Sequence, residues 1–356
     1  MAITGNKGEW SETYAFLRLL ADGKLFAADE QLNRIGNMFF PIIKIIREET
    51  RGTPYEYHPD PEAGEVRIFL NDEQLLCLSA EEFNDEAILL YSQIKYGTSA
   101  FEVPRTEAFI KRIFMTKLKA PTTDKSDINI QIHDVNTGFE NVVGFSIKSE
   151  LGSPPTLLNA GRTTNFIYEI KGLHPSDINQ INAIETKNKL IDRMTAISEK
   201  GGLLSFAEME NTTFCNNLTM IDSQMPIIIA EMLIGYYDKN ITDCMGLTDY
   251  VSQINPLSCN AEFYKHKIKD LLCAIALGMK PATAWDGTDE ATGGYIVVKT
   301  DGDVLAYHIY NRDAFRGYLL KNTQLEKGSS SRHGFCSLYQ EGGKIKIKLN
   351  LQIRFS

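Results

Sequence analysis

No run of apolar residues in this 356-residue chain approaches the roughly eighteen that a membrane-spanning helix needs. The two richest stretches, PIIKII and MPIIIAEMLIGYY, are interrupted by Lys44 and Glu231, so no membrane span is expected. The N-terminal MAITGNKGEW has neither a basic start nor an apolar centre, and no secretory signal is expected from it. The six cysteines (Cys77, Cys215, Cys244, Cys259, Cys273 and Cys336) contain no Cys-x-x-Cys pair. They read as reduced thiols of a cytoplasmic protein, not as a zinc site or a disulfide frame. No glycine-rich phosphate loop is present, which argues against nucleotide hydrolysis. Internal repeats and low-complexity linkers are also lacking. Basic charge is not in excess either. The net charge of −9 excludes a chain coated in basic surface for indiscriminate nucleic-acid binding, although it leaves room for a local basic cleft.

What is present is an ordinary globular composition, 43% hydrophobic and 23% charged, with ample material for a core. Basic residues gather in two places. Arg105, Lys111, Arg112, Lys117, Lys119 and Lys125 share one window, and Lys344, Lys346, Lys348 and Arg354 lie near the end. Either group is a candidate phosphate track or a solvated face. Apolar spacing predicts a helix over 8–21 ending near Gly23, a second over 30–49, and further helices over 106–118, 176–201, 218–237, 261–277 and 313–321. YEYHPDPEAGEV reads as a connection and VRIFL as a strand. GGYIVVKTDGDVLAYHIYN reads as a hairpin turned at Asp301–Gly302, and CSLYQEGGKIKIKLNLQIRF as another. The fold class is mixed α+β: a central mixed sheet flanked by helices. Residues 1–172 are expected to form a core and 173–356 a second half, either separate from it or one continuous domain with it.

The segment 127–149 carries the chemistry. DINIQIHD sets Ile128, Ile130 and Ile132 on one face, with Asp127, Asn129, Gln131 and His133 on the other. VVGFSIKS returns with Val143, Phe145 and Ile147 opposite Gly144, Ser146 and Lys148. Folding this hairpin about 137–138 puts Asp127 across from Lys148 and Asn129 across from Ser146, to within about two residues. The face is certain, because a one-residue slip would expose every isoleucine. A carboxylate and a lysine on one face are half of a phosphodiester-hydrolysing site. Carboxylates hold Mg²⁺, while lysine orients or deprotonates the attacking water and offsets developing charge. This is the arrangement of PD-(D/E)XK nucleases, except that Ser146 stands where a second carboxylate is usual.

The first helix offers a substitute acid. With Trp10 at zero and about 100° per residue, Glu9 falls inside the apolar arc at roughly 260° and Glu12 on its edge at roughly 200°. An inward carboxylate needs a partner. Either acid could supply the missing ligand, or both could simply favour the helix dipole. Loop residues Arg162, Thr164 and Asn165, together with Arg332 and His333 in KGSSSRHGF, are candidate phosphate or base contacts, Arg332 being suited to guanine.

NKGEWSETYAFLRLLADGKL, SDINIQIHD…GFSIKSELGSPPTLLNAGRTTNF, NPL…FYKHKIKDLL, GGYIVVKTDGDVLAYHIY and SRHGF…KIKLNLQIRF together resemble the HpaII family of type II restriction endonucleases, in matching order through nearly the whole chain. The resemblance implies an Mg²⁺-dependent prokaryotic enzyme that cuts double-stranded DNA at a short palindrome, CCGG for the family's namesake. It carries over Asp127 and Lys148 as the nuclease pair, with Ser146 in the family-like context SIKS. A DNA methyltransferase belonging to the same system is expected as partner. Glu150, two residues past the lysine, is a further candidate metal ligand beside Asp127, Glu9 and Glu12. A palindromic target favours a homodimer. The rival readings are a sequence-specific DNA-binding protein on a disabled nuclease fold, for which Ser146 speaks, and a non-specific DNA-repair nuclease.

Overall fold

The computed structural model describes residues 2–50, 52–119, 126–134, 138–308 and 311–356, so Lys125 lies outside the described residues. The chain divides into two compact units, Met1–Pro155 with Asp289–Tyr318, and Thr156–Thr288 with Leu319–Ser356. The first unit thus ends before the expected boundary at 172 and regains a segment from late in the sequence.

The first unit is built on a nine-stranded mixed sheet. Its spatial order is Lys24–Ala28, Val304–His308, Gly294–Val298, Glu140–Ser149, Ile128–His133, Arg34–Thr50, Thr53–Asp60, Glu65–Leu70, Glu73–Ser79. Two of its pairings are parallel, Gly294–Val298 with Glu140–Ser149 and Val304–His308 with Lys24–Ala28. Arg34–Thr50 is a 17-residue strand, where a helix was expected. The run PIIKII fits both periodicities, but β-branched residues pack well on a pleated surface and Pro41 would break a helix interior. Its first half pairs with Lys24–Ala28 and its second with Ile128–His133, so the sheet curls back on itself. YEYHPD, expected as connection, is the neighbouring strand Thr53–Asp60.

The first helix, Lys7–Asp22, packs across this sheet. Asn6 and Glu9 form a capping box at its start: Asn6 Oδ1 accepts from the Glu9 amide at 3.0 Å, and Glu9 Oε2 accepts from the Asn6 amide at 2.9 Å. Such a cap is worth about 1 kcal/mol. Gly23 ends the helix in the left-handed region at φ 60°, a conformation glycine adopts without penalty. Trp10, Leu17 and Leu20 are fully buried, each stabilising the fold by roughly 2–3 kcal/mol. The Trp10 ring N–H also donates to the Phe101 carbonyl at 3.0 Å.

The second unit holds an antiparallel sheet ordered Leu203–Met209, Asn165–Lys171, Lys344–Asn350, Leu338–Glu341, and a smaller one ordered Thr156–Leu158, Ile353–Phe355, Thr323–Leu325. Helices Thr212–Ile221, Met225–Lys239, Cys244–Ile254 and Ala261–Ala276 accompany them. The single helices expected over 176–201 and 218–237 are each broken in two. Met225–Lys239 is tied to the larger sheet by Tyr168 and Tyr237, whose hydroxyls donate to the Ala230 and Asn350 carbonyls at 2.7 and 3.0 Å. Among the described residues no single helix is long and apolar enough to cross a membrane.

Candidate active site

The hairpin Ile128–His133/Glu140–Ser149 forms with the expected faces and a register shifted by two residues. Ile128 stands opposite Phe145 and Asn129 opposite Gly144. Asp127 therefore lies beside Ser146 and not across from Lys148. Side-chain size explains the register: a Cβ on Gly144 would lie 2.6 Å from Ser126 and 3.0 Å from Asn129 Oδ1. Only glycine leaves room for that pairing.

Asp127 is held from two sides. Oδ2 accepts from the Ile147 amide at 2.7 Å and from Ser146 Oγ at 3.1 Å. Among the described residues Oδ1 accepts no hydrogen bond. Lys148 Nζ donates to Ser146 Oγ at 3.4 Å, a long contact, and lies 5.7 Å from the centre of the Tyr295 ring. Ser146 thus links acid and lysine on one face of the sheet.

Glu12 completes the group. Its pKa is pushed up to about 7, first by burial, then by the negative charge of Asp127 and, least, of Glu9, against the opposing pull of Lys119 and Lys148. Asp127, Lys148 and Lys119 therefore all lie within electrostatic reach of this carboxyl. Glu12 and Lys148 line a cleft of about 770 Å³ with Asn6, Lys7, Thr98 and Ser149. Glu9, the acid expected to turn toward a metal, is occupied by its own helix cap. The pattern Asn6-x-x-Glu9 could have assigned it there from sequence. Glu150 is exposed and accepts from the Thr300 amide at 3.3 Å.

Among the described residues no cluster of three or more His, Cys, Asp or Glu side chains could form a ready-made metal cage. Two acids close enough for one to raise the pKa of the other are still a donor set that a hard divalent cation relieves. Mg²⁺ in particular takes one or two carboxylates and keeps its waters. The residues present fit such an ion.

The expected DNA contacts divide. Thr164 and Asn165 are fully buried. Asn165 Nδ2 donates to Glu210 Oε2 at 2.7 Å and to the His333 carbonyl at 2.9 Å. Asn350 Nδ2 donates to Asn165 Oδ1 and the Gly161 carbonyl, each at 2.7 Å, and to Thr164 Oγ1 at 3.1 Å. Thr164 and Asn165 thus have an internal bracing role instead of the exposed position that contact with DNA requires. Arg162 and Arg332 are exposed and His333 half-buried, on the two turns that this bracing joins. The basic clusters are largely neutralised. Arg105, Arg112, Lys344, Lys346, Lys348 and Arg354 pair with Glu86, Glu82, Glu169, Glu341, Glu210 and Glu326 at 2.7–3.2 Å, and Lys111 pairs with Glu107.

The chain matches the family model described as HpaII restriction endonuclease over residues 6–355. It is 42% identical over 360 residues to the type II restriction enzyme HpaII of Haemophilus parainfluenzae, with 99% of each chain covered. No solved structure matches it.

Proposed function

The chain belongs to the HpaII restriction endonuclease family, and from that premise we propose that it is a type II site-specific deoxyribonuclease hydrolysing duplex DNA at CCGG with Mg²⁺. The observation that carries the catalytic assignment is the linked group Asp127–Ser146–Lys148, whose lysine lines one cleft with Glu12, a carboxyl that feels the charges of Asp127 and Lys148.

Asp127 and Glu12 would hold the metal, which takes Glu12 ahead of Glu9 and Glu150. When bound, the ion polarises the scissile phosphate and makes a coordinated water more acidic. The Ile147 amide and Ser146 hydroxyl fix Asp127 in one orientation, leaving Oδ1 for a ligand bond. Ser146 does not replace the missing acid. It aligns the first acid and positions the lysine. Lys148, as an ammonium, donates to the attacking water or a phosphate oxygen and offsets charge that grows in the transition state. Near neutral pH Glu12 is divided between carboxyl and carboxylate, and only the second can be a ligand.

Arg162, Arg332 and His333 are the proposed DNA contacts of the second unit. A palindromic target favours a homodimer, and a methyltransferase marking the same sequence is its expected counterpart in a prokaryotic cytoplasm. Incubating the protein with plasmid DNA and Mg²⁺ tests the reading. Discrete fragments that end at CCGG support it. A smear indicates a repair-type nuclease, and binding without cleavage a disabled fold.

A further inference from the structure

We infer that Tyr295 is a positioning residue for Lys148, its buried ring forming the seat on which the ammonium group rests. The inference depends on the catalytic role proposed above for Lys148.

Tyr295 lies in Gly294–Val298, which pairs in parallel with Glu140–Ser149 and sets Tyr295 beside Ser146 and Val297 beside Lys148. Paired residues of neighbouring strands point to the same face, and side chains alternate along each strand. Tyr295, Ser146 and Lys148 therefore share one face, the face that carries the nuclease group. Lys148 Nζ reaches back diagonally to 5.7 Å from the Tyr295 ring centre, within the range of a cation–π attraction. Asp127 is near enough for its charge to add to the upward push that burial and Tyr318 exert on the Tyr295 hydroxyl.

The ring cannot turn aside. Tyr295 is fully buried, and Phe315 packs against it at 5.0 Å. Phe315 in turn meets Tyr307 at 5.4 Å, and Tyr307 stacks on Tyr318 at 4.9 Å. Lys148, by contrast, has a long flexible stem and, in Ser146, a hydrogen-bond partner at 3.4 Å, beyond the usual range for such a bond. A rigid electron-rich face beneath a mobile cation narrows the positions that cation occupies. Tyr295 acts on the reaction through Lys148 alone, without touching the substrate.

The experiment grades the ring face at constant shape. Tyr295→Phe is compared with chains carrying mono-, di- and trifluorinated phenylalanine at 295, and each is also made in a Lys148→Ala background. Single-turnover cleavage of a CCGG duplex is followed across pH, with DNA affinity measured in parallel. Tyr295→Phe should cleave within about threefold of wild type, because the aromatic face survives. The trifluorinated ring should be roughly tenfold slower than phenylalanine, with the fall graded by fluorine number and DNA affinity unchanged. Without the lysine the gradation should vanish. A rate that is flat across the series, or the same gradation without Lys148, overturns the inference. If Lys148→Ala alone cleaves at the wild-type rate, the catalytic reading falls and the inference with it. Thermal melts of the fluorinated chains should coincide, since their shapes are nearly the same; a melt that falls in step with the rate would make Tyr295 a packing residue only.

Discussion

Ser146 donates its hydroxyl hydrogen to Asp127 Oδ2 at 3.1 Å, the first acid being bonded by the residue that stands where a second acid is usual. A serine there removes a like charge beside Asp127 and supplies a donor in its place. A second carboxylate then has to come from outside the hairpin, and Glu12 of the first helix is the one proposed.

Lys148→Ala should slow cleavage by roughly a thousandfold, to a residual rate measurable in single turnover, and leave DNA affinity within roughly tenfold of wild type, because the lysine acts on the reacting groups more than on docking. Asp127→Asn should differ in kind, removing both cleavage and any metal dependence of binding. Cleavage assays paired with titrations with and without Mg²⁺ separate the two. Near-normal cutting by Lys148→Ala would falsify the catalytic assignment of the hairpin.

Glu12→Gln and Glu9→Gln separate ligand from cap. Glu12→Gln should slow cleavage by about two orders of magnitude and raise the Mg²⁺ requirement. Glu9→Gln keeps a side-chain oxygen for the Asn6 amide, so it should lower stability by about 1 kcal/mol or less with little effect on rate. Rate against Mg²⁺ concentration and thermal melting are the two measurements. The opposite ranking would return Glu9 to the site.

The pH dependence of stability carries a signature of the same carboxyl. Glu12 titrates at its ordinary 4.5 when unfolded and near 7 when folded, so between those values the folded chain retains a proton that the unfolded chain has lost. Stability from this group therefore falls as pH rises through that window, and its full cost remains above pH 7. Metal-free Glu12→Gln should gain melting temperature over wild type as pH rises from about 5 to 7, with no difference near pH 4. A difference that stays constant with pH would contradict the raised pKa.

Arg162→Ala and Arg332→Ala should weaken binding and flatten the preference for CCGG over a scrambled duplex, with the maximal rate on saturating CCGG DNA changing little. Binding should also decline steeply with salt despite the acidic total, since a few phosphate contacts suffice. Competition titrations at two salt concentrations test both statements. Equal affinity of wild type for the two duplexes would count against a restriction enzyme.

The alternating isoleucines of 128–132 made the active hairpin and its faces readable, because one-sided burial enforces period two. Its exact register was not readable. The clash that any side chain at 144 would make with Ser126 and Asn129 appears only once the strands are paired. Arg34–Thr50 was misread because a continuous apolar run satisfies the helix and strand templates alike. Glu9 was placed inward by its angle on the helix. That angle says nothing of the unsatisfied amides at a helix start, and Asn6 and Glu9 satisfy them for each other. Tyr295 offered no signal at all. In YIVV it is one apolar residue among four, and its place beside Ser146 follows from a parallel pairing between distant segments.

That pairing also has a consequence for synthesis. The first unit is completed only when Asp289–Tyr318 returns to it, after the intervening Thr156–Thr288 has been made. While the chain leaves the ribosome, Glu12, Asp127, Ser146 and Lys148 are all exposed to the cell well before Gly294–Val298 exists to pair with the strand that carries the lysine. Until then that strand has an unpaired edge and its lysine has no ring beneath it. Completion of the face that carries Asp127, Ser146 and Lys148 thus waits on a strand made after the whole intervening unit, an order set by the sequence of the chain's own segments.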